Sequence, residues 1–495
     1  MVEVPQLPVF RVIGFTGHRQ LRDRAAVERV LREVLAGLRA ENGAEWLALS
    51  SIAEGADMLF ARTALQLGLG WEAVLPLPPA EFRADFSPEL WREVESLLAE
   101  AESARVIGER NAREDAYLDC GMETVNHCDI LLTVWDGEPS RGRGGTAEIV
   151  AYAREMGRPV IVVNAKDLSV RRENFESLEV GDRHLAYFNG LPRAPQPTPK
   201  DTPDRGRTIV QEFQAKVDHA ATFHAPHDKR LVTLAICLLA LAAILAAATL
   251  AFPRLDVGAM PWVKLVCLLA ATAIALLVRH RRDQHDWARC RLATEITRST
   301  LATWGLPRSL RLFDDFDWAG LEPLRRSLDV LHRRGARAYP ASFDEFKQRY
   351  VRERIDVQLA YFAGQRQWAA PIQERLRWGF FISMLLAVCF SAAYASHTLM
   401  PALQAPAWVE SWVYGFGPVA LPVLAVAFLG LIRVTDLHRR LARCREMEVR
   451  LAAARKEAVF VQTWGALERV VAKAERALLQ EVFEWHTITS FTENR

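Results

Sequence analysis

The sequence predicts an α/β domain with a Rossmann-like parallel sheet, followed by an all-α membrane domain with four transmembrane helices. Two observations predict this. In residues 9–165, short apolar runs alternate with amphipathic segments, which is typical of a parallel sheet covered by helices. After residue 228, apolar residues concentrate in four long blocks, although 25% of the whole chain is charged.

The apolar runs of the front part predict the strands of the sheet. They cover residues 10–15, 46–50, 72–77, 129–136 and 159–164. Between them, helical spacing of apolar residues predicts helices over residues 24–41, 56–67, 88–102, 112–126 and from Thr146 onward.

The four apolar blocks are long enough to cross a membrane. Residues 231–252 contain no charged side chain, and about 20 apolar residues span a hydrocarbon core of about 30 Å. The other predicted spans are residues 262–278, 378–396 and 412–432, with tryptophans near their ends, as an aromatic belt would place them. Buried core helices of a soluble protein are the weaker alternative, because the first block is too long and too uniformly apolar.

Charges beside the predicted spans indicate the orientation. Lysines and arginines flank one side, whereas the short connections 253–261 and 397–411 carry Arg254 as their single Lys or Arg. Residues 1–15 lack the pattern of a signal peptide. The positive-inside rule therefore predicts a bacterial inner-membrane protein whose N-terminal domain and C-terminus are cytoplasmic.

The chain divides at changes in composition. We expect a front domain over residues 1–190, a proline-rich linker over 191–206, a first helix–hairpin–helix module over 207–304, a connector over 305–345 and a second module over 346–495. The two modules resemble copies, since each contains an Arg-Cys-Arg step, at Cys290 and Cys444.

Polar residues and glycines collect where three predicted strands end, and parallel sheets bind ligands at the carboxyl ends of their strands. After the first strand come Gly14, Thr16, Gly17, His18 and Arg19. After the second come Ser50, Ser51, Glu54, Gly55 and Asp57. After the strand at 129–136 come Asp136, Gly137, Arg143, Gly144, Gly145, Thr146 and Glu148.

These residue types suit a nucleotide. Glycines let backbone amides approach a phosphate at a helix N-terminus, Arg19 or Arg143 could add a charge-assisted bond, and Asp136 and Glu148 are acceptors for ribose hydroxyls. Each loop alone is also compatible with a simple tight turn. His18 could equally form a structural hydrogen bond, and Asp57 could cap a helix locally.

We expect a nucleotide-type ligand and no required cofactor. A net charge of +2 gives no case for nucleic acid, and the spacing of Cys120, His127 and Cys128 is not that of a zinc site.

The pattern GFTGHR…S..AEGAD…DILLTVWDG…GRGGTAE…PVIVV over residues 14–163 resembles the SLOG superfamily. That resemblance implies binding of a nucleotide or a nucleotide-derived second messenger, often an ADP-ribose derivative. The hydrolases of its LOG branch carry Gly-Gly-x-Gly-Thr-x-x-Glu. Here Glu148 follows Thr146 by two residues and Ile149 takes the expected glutamate position, so no catalytic residue is predicted.

The modules at about 210–305 and 345–495 resemble the SLATT family, since each has a polar helix, a two-helix hairpin and a basic helix leading to a tryptophan. The family comprises membrane effectors of bacterial conflict systems and implies oligomeric pores. Both resemblances imply a homo-oligomeric effector in the lipid bilayer, gated by an ADP-ribose-type or cyclic nucleotide messenger that a separate enzyme makes, in antiphage defence. The alternatives are a membrane-anchored LOG-like nucleotide phosphoribohydrolase working through Glu148, Asp136 and Arg19, and a scaffold without ligand.

Overall fold

The computed structural model describes residues 6–40, 44–107, 113–139, 143–178, 183–192, 203–223, 228–253, 259–280, 283–307, 310, 321–399 and 405–491. These residues form two compact units. Unit 1 comprises Met1–Phe213 and Trp304–Pro340, and unit 2 comprises Gln214–Thr303 and Ala341–Arg495.

Unit 1 contains a seven-stranded sheet in the order β4-β3-β2-β1-β5-β6-β7. All neighbouring pairs are parallel except β6–β7. The strands are β1 (Phe10–Gly17), β2 (Glu45–Ser50), β3 (Gly70–Leu75), β4 (Ser103–Val106), β5 (Ile130–Trp135), β6 (Val160–Asn164) and β7 (Val170–Glu173). The predicted Rossmann-like sheet is thus confirmed. The two edge strands, β4 and β7, are additional to the predicted ones because they are short and lack an apolar run.

Helices cover both faces of this sheet. The helices of unit 1 are α1 (Arg24–Ala40), α2 (Ala56–Gln66), α3 (Pro79–Phe82), α4 (Pro88–Glu100), α5 (Arg113–His127), α6 (Thr146–Glu155), α7 (Arg183–Gly190), the start of α8 (Arg205–Phe223), and α12 (Glu322–Ala338). Sequence determines several helix starts. Asp23 accepts the Ala26 N–H at 3.0 Å, and Ser87 accepts the Leu90 N–H at 3.3 Å before α4, which satisfies amides that have no partner inside a helix.

Alternating strand residues form the main core of unit 1. Ile13, Trp46, Leu132 and Ile161 are buried together with the inner faces of α1, α2 and α4. Burying a large apolar side chain contributes about 1.5–3 kcal/mol, so this cluster holds the sheet and positions the loops at its edges.

Helix α12 lies across the amino ends of the strands. Its Ser327 hydroxyl donates to the Pro8 carbonyl at 2.7 Å, and Arg326 pairs with Asp129, which immediately precedes β5. Asp129 in turn accepts the Val12 N–H at 2.7 Å. The amino ends of β1 and β5 are thereby joined through α12.

Further along α12, two arginines bind the other strands. Arg333 contacts Glu72 of β3 at 2.5 Å, and Arg334 contacts Glu45 of β2 at 2.5 Å and Glu102, next to β4, at 2.8 Å. The sequence predicts residues 305–345 as a connector between membrane modules, whereas Trp304–Pro340 belongs to unit 1. A segment that follows the first pair of apolar helices thus completes the sheet domain.

Within unit 1, α12 also packs beside the point where the chain leaves for unit 2 and returns. The Trp304 indole N–H donates to Asp204 at 2.7 Å, and its ring meets His332 edge-on at 5.4 Å. A Cβ added to Gly335 would lie 2.6 Å from the Asp204 carboxylate. Asp204, just before α8, and Trp304, just after the segment Gln214–Thr303, thus meet in one buried cluster.

Unit 2 consists of helices. They are the remainder of α8, then α9 (Asp228–Ala251), α10 (Met260–His280), α11 (Asp283–Ala302), α13 (Phe343–Tyr350), α14 (Val357–Leu399), α15 (Ala407–Val409), α16 (Gly417–Thr435), α17 (Leu437–Phe460) and α18 (Trp464–Phe491). α9 packs against α10 and α16, and α16 packs against α14.

Four helical stretches of unit 2 are long and apolar enough to cross a membrane, which fits the predicted membrane domain. They are Arg230–Ala251, Met260–Val278, Phe343–Leu399 and Ala407–Phe460. Large apolar side chains on them face outward, such as Trp262 at 68% and Leu385 at 64% exposure. Such exposure is unfavourable in water and suits a lipid environment.

The second apolar pair extends well beyond the predicted spans. Phe343–Leu399 runs as one helical stretch of 57 residues with a π-helical segment at Val351–Asp356. At this π-helical segment, Arg354 and Glu475 form a buried ion pair at 2.7 Å, and the Tyr350 hydroxyl donates to Glu475 at 2.9 Å. This pairing joins α18 to the polar end of the long helix.

Candidate functional site

The strand order places a crevice at the carboxyl end of the sheet. From β1 the chain moves through β2, β3 and β4 on one side, and then starts again with β5 on the other side of β1. The loops after β1 and β5 therefore leave in opposite directions. In open α/β sheets this switch point is where ligands bind.

The loop after β1 is bound to the end of β5. The His18 N–H donates to the Val134 carbonyl at 3.1 Å. The His18 Nε2 lies 3.1 Å from the backbone N of Asp136 and 3.0 Å from its Oδ1. A neutral imidazole accepts the backbone N–H with that nitrogen, whereas an imidazolium donates to the carboxylate. His18 and Asp136, predicted from separate loops, are thus direct neighbours.

Asp136 is held as a carboxylate. Desolvation alone would raise the pKa of Asp136, but the Glu138 N–H at 3.1 Å, His18 and Lys166 outweigh it and lower the pKa below its ordinary value. Lys166 also donates to Glu138 at 2.7 Å. The crevice therefore has a negative group beside His18.

The loop after β2 is organised by Asp57, the second residue of α2. The buried carboxylate accepts the Ser51 hydroxyl at 2.5 Å and the Ala53 N–H at 3.4 Å. Burial raises the pKa of Asp57 to about 6, although Ser51, Ala53 and Arg19 act to lower it. Ile52 between these partners has φ +56°, a costly conformation for a β-branched residue. The loop is thus held in a strained shape by its own side chains.

Glycines bring the first two loops into direct contact. A Cβ on Gly55, whose φ is +97°, would lie 2.2 Å from the Arg19 carbonyl oxygen. A Cβ on Gly17 would lie 2.6 Å from the Ala56 Cβ. These two glycines are therefore required by contacts within the protein.

The start of α6 has backbone amides that lack a partner inside the helix. Gly145 is the N-cap residue and no side chain caps the helix there. By helix geometry the N–H groups of Thr146 and Ala147 have no carbonyl partner inside α6, and the helix dipole gives this end positive potential. Glu148 instead turns back and accepts the Gly144 N–H at 2.7 Å. Glu148 thus has a structural partner besides any ribose hydroxyl.

The remaining predicted residues divide between the crevice and the interior. Ser50 is buried and accepts the Trp71 indole N–H at 3.0 Å, and Gly14 lies inside β1 against Cys128. Thr16 is the penultimate residue of β1, whereas Glu54 and Gly137 are exposed at the loop surfaces. Gly142, which belongs to the glycine motif, lies outside the described residues.

Sequence reasoning missed the first turns of α5. Arg143 pairs with Asp115 at 3.0 Å, and the Arg19 guanidinium lies 5.5 Å from the ring centroid of Tyr117. A Cβ on Gly144 would lie 2.7 Å from the Leu118 amide nitrogen. Asp115 and Tyr117 stand far from any glycine loop in the chain, so the sequence carries no local signal for them.

The cysteines of this region are packing residues. The Cys120 thiol donates to the Val74 carbonyl at 3.1 Å, and burial raises its pKa far above the ordinary value. Burial likewise raises the pKa of Cys128 to about 12. Among the residues that the structure describes, no group of three or more His, Cys, Asp or Glu could hold a metal ion.

Neither protein-family models nor curated proteins supply a relative. The residues of the crevice indicate which ligand groups it suits. Its arginine side chains and helix amides suit an anionic group, and its carboxylates suit hydroxyl groups.

Proposed function

We propose that the protein is a membrane effector gated by a nucleotide-derived second messenger, of ADP-ribose or cyclic nucleotide type, that binds in the crevice between β1 and β5. The observation that carries the proposal is the meeting of three polar loops at the switch point of the sheet. Phosphate would bind at the amides of Thr146 and Ala147, and Asp136 would accept from a ribose hydroxyl.

The membrane part of the proposal rests on charge and hydropathy. Arg230, Arg375, Arg377 and Arg433 border the apolar helices on the side where the front domain joins them in sequence. The positive-inside rule then favours a cytoplasmic front domain in a bacterial inner membrane. The messenger would act by binding the active state more tightly than the resting state. We infer that homo-oligomers open a pore or disrupt the bilayer, and the resemblance to the SLATT family suggests antiphage defence.

The test uses the full chain in lipid nanodiscs, because unit 1 needs residues from both sides of the first apolar pair. Its melting temperature is measured against ADP-ribose, cyclic ADP-ribose isomers and cyclic mononucleotides, and products are analysed in the same samples. A nucleotide that binds the folded state raises the melting temperature by mass action. The same nucleotide should release a dye from liposomes containing the protein.

Two variants separate binding from general damage. Gly145→Asp puts a carboxylate at the start of α6, and Arg19→Glu reverses the charge in the first loop. Both should abolish the nucleotide-dependent rise and the dye release. Arg32→Glu, on the exposed surface of α1, is the charge-reversed control and should retain both. No rise with any nucleotide would refute the gating proposal.

One observation favours the alternative, a membrane-anchored nucleotide phosphoribohydrolase. The His18–Asp136 pair at 3.0 Å could serve as a general base in the crevice. Release of free base and sugar phosphate in the nanodisc samples, lost in His18→Ala, would replace the effector proposal with this one. If the nucleotide is recovered unchanged from these samples, the effector proposal stands.

A further inference from the structure

Tyr117 has a polar group without a protein partner. Among the residues that the structure describes, its hydroxyl is buried and no hydrogen-bonding group reaches it. An unsatisfied buried hydroxyl destabilises a protein, so its presence calls for an explanation, such as an ion or a ligand that supplies the missing partner.

The position of Tyr117 is the crevice itself. Arg19 of the first loop lies over its ring, and its backbone touches Gly144, which precedes the uncapped start of α6. Phe82 packs on the ring at a centroid distance of 6.4 Å. The aromatic ring is therefore fixed, with the hydroxyl as its polar end.

Arg19 completes the pattern. Its guanidinium is exposed, and in the described part of the chain no carboxylate lies within ion-pair distance of it. Arg143, by comparison, is already paired with Asp115 at 3.0 Å. Arg19 thus offers a cation over the ring of Tyr117, and the backbone of Tyr117 lies next to Gly144, which precedes the amides at the start of α6.

We propose that Tyr117 is a specificity-determining residue that donates a hydrogen bond to a phosphate oxygen of the bound nucleotide, together with Arg19. The inference rests on the proposed nucleotide site and assigns to it a contact from α5. A phosphate oxygen is a strong acceptor for a hydroxyl and a natural partner for guanidinium. The Tyr117 hydroxyl and Arg19 select for phosphate, and a nucleoside, which has no phosphate, gains no affinity from them.

Thr133 provides a matched control. Its hydroxyl is also buried without a partner among the described residues, but the side chain is 0% exposed within β5. The two residues differ in their surroundings, because Tyr117 keeps part of its surface exposed beside Arg19, whereas Thr133 is fully buried in the sheet.

The experiment compares Tyr117→Phe and Thr133→Val with the wild type in full-length nanodisc samples. The probes are the panel nucleotides, inorganic pyrophosphate and adenosine. Tyr117→Phe should keep or raise the melting temperature without ligand, and should weaken nucleotide and pyrophosphate binding about 10- to 100-fold. Thr133→Val should leave both affinities unchanged, and adenosine binding should not respond to either variant.

Equal affinity of wild type and Tyr117→Phe for the nucleotide overturns the role of Tyr117 and leaves the site standing. An equal loss for adenosine also overturns it, since the ring would then act by shape alone. If Tyr117→Phe unfolds, Arg19→Gln is measured instead and must show the same selective loss for phosphate. A wild type that binds none of the probes overturns the proposed function and this inference together.

Discussion

The sheet in unit 1 has an amino edge, where its parallel strands begin, and a carboxyl edge, where they end. These two edges differ in how their charged residues are paired. At the amino edge, the arginines of α12 are paired with Asp129, Glu72, Glu45 and Glu102. At the carboxyl edge, Arg19 faces an aromatic ring and the start of α6 is uncapped. One edge is closed by long-range ion pairs, and the other keeps polar groups available.

This difference distinguishes a stabilising edge from the edge at which we propose that a ligand binds. Desolvation would raise the pKa of Glu72, but Arg333 outweighs it and holds that pKa below the ordinary value, as expected for a pair that stabilises the charged form. At the crevice, strain at Ile52 and burial of Asp57 act against stability. Strained and unsatisfied groups are typical of binding sites.

The largest effect is expected at the amino edge. Arg333→Ala leaves Glu72 largely buried without its cation, which should lower the free energy of unfolding of unit 1 by about 3–5 kcal/mol. Hydrogen exchange of the sheet amides measures this separately from the membrane helices. Arg62→Ala removes the same charge from a more exposed pair with Glu93, in which the side chains are 38% and 35% exposed, and should cost about 1 kcal/mol or less. Equal losses in both variants would contradict a special role for α12.

The next effect depends on pH at the carboxyl edge. Burial raises the pKa of Asp57 from 3.8 to about 6, so the folded state favours the protonated carboxyl. This stabilisation is complete below the unfolded value and is lost as the pH rises through about 6. Two pKa units correspond to about 3 kcal/mol.

We therefore expect wild-type stability, relative to Asp57→Asn, to fall by up to about 3 kcal/mol between pH 4 and pH 7. Hydrogen exchange of both proteins at each pH gives the difference, because intrinsic exchange rates cancel. A constant difference across this range would show that Asp57 does not titrate in the folded protein.

The smallest effect concerns loop contact. Gly55→Ala directs a Cβ at the Arg19 carbonyl, 2.2 Å away, whereas Gly68→Ala has a similar positive φ of +71° and nothing within 4 Å. Gly55→Ala should therefore cost about 1–3 kcal/mol more than Gly68→Ala, which is the range for overpacking. It should also weaken nucleotide binding, whereas Gly68→Ala should not. Equal melting temperatures would mean that the two loops are not in firm contact.

Local sequence pattern predicted the elements whose signal lies within a few residues. Apolar runs located β1, β2, β3, β5 and β6, and glycine-rich stretches located the loops that the structure brings together. β7 has the sequence VRRE and was not predictable, because an exposed edge strand needs no apolar alternation. Tyr117 was missed because its proposed role depends on Arg19, which lies in the loop after β1, far from α5 in the chain.

By itself, the sequence determined the α/β class, the four apolar helices and the three polar loops, since periodicity and composition are local properties of the chain. Only the tertiary structure decided that α12 completes the sheet domain. Arg333 and Glu72 are 261 residues apart in the chain, and no periodic pattern reports which of many carboxylates an arginine will meet. The tertiary structure also decided which glycines are needed for contacts within the protein and which hydroxyls are left without a partner. Both depend on atoms that the strand order brings together.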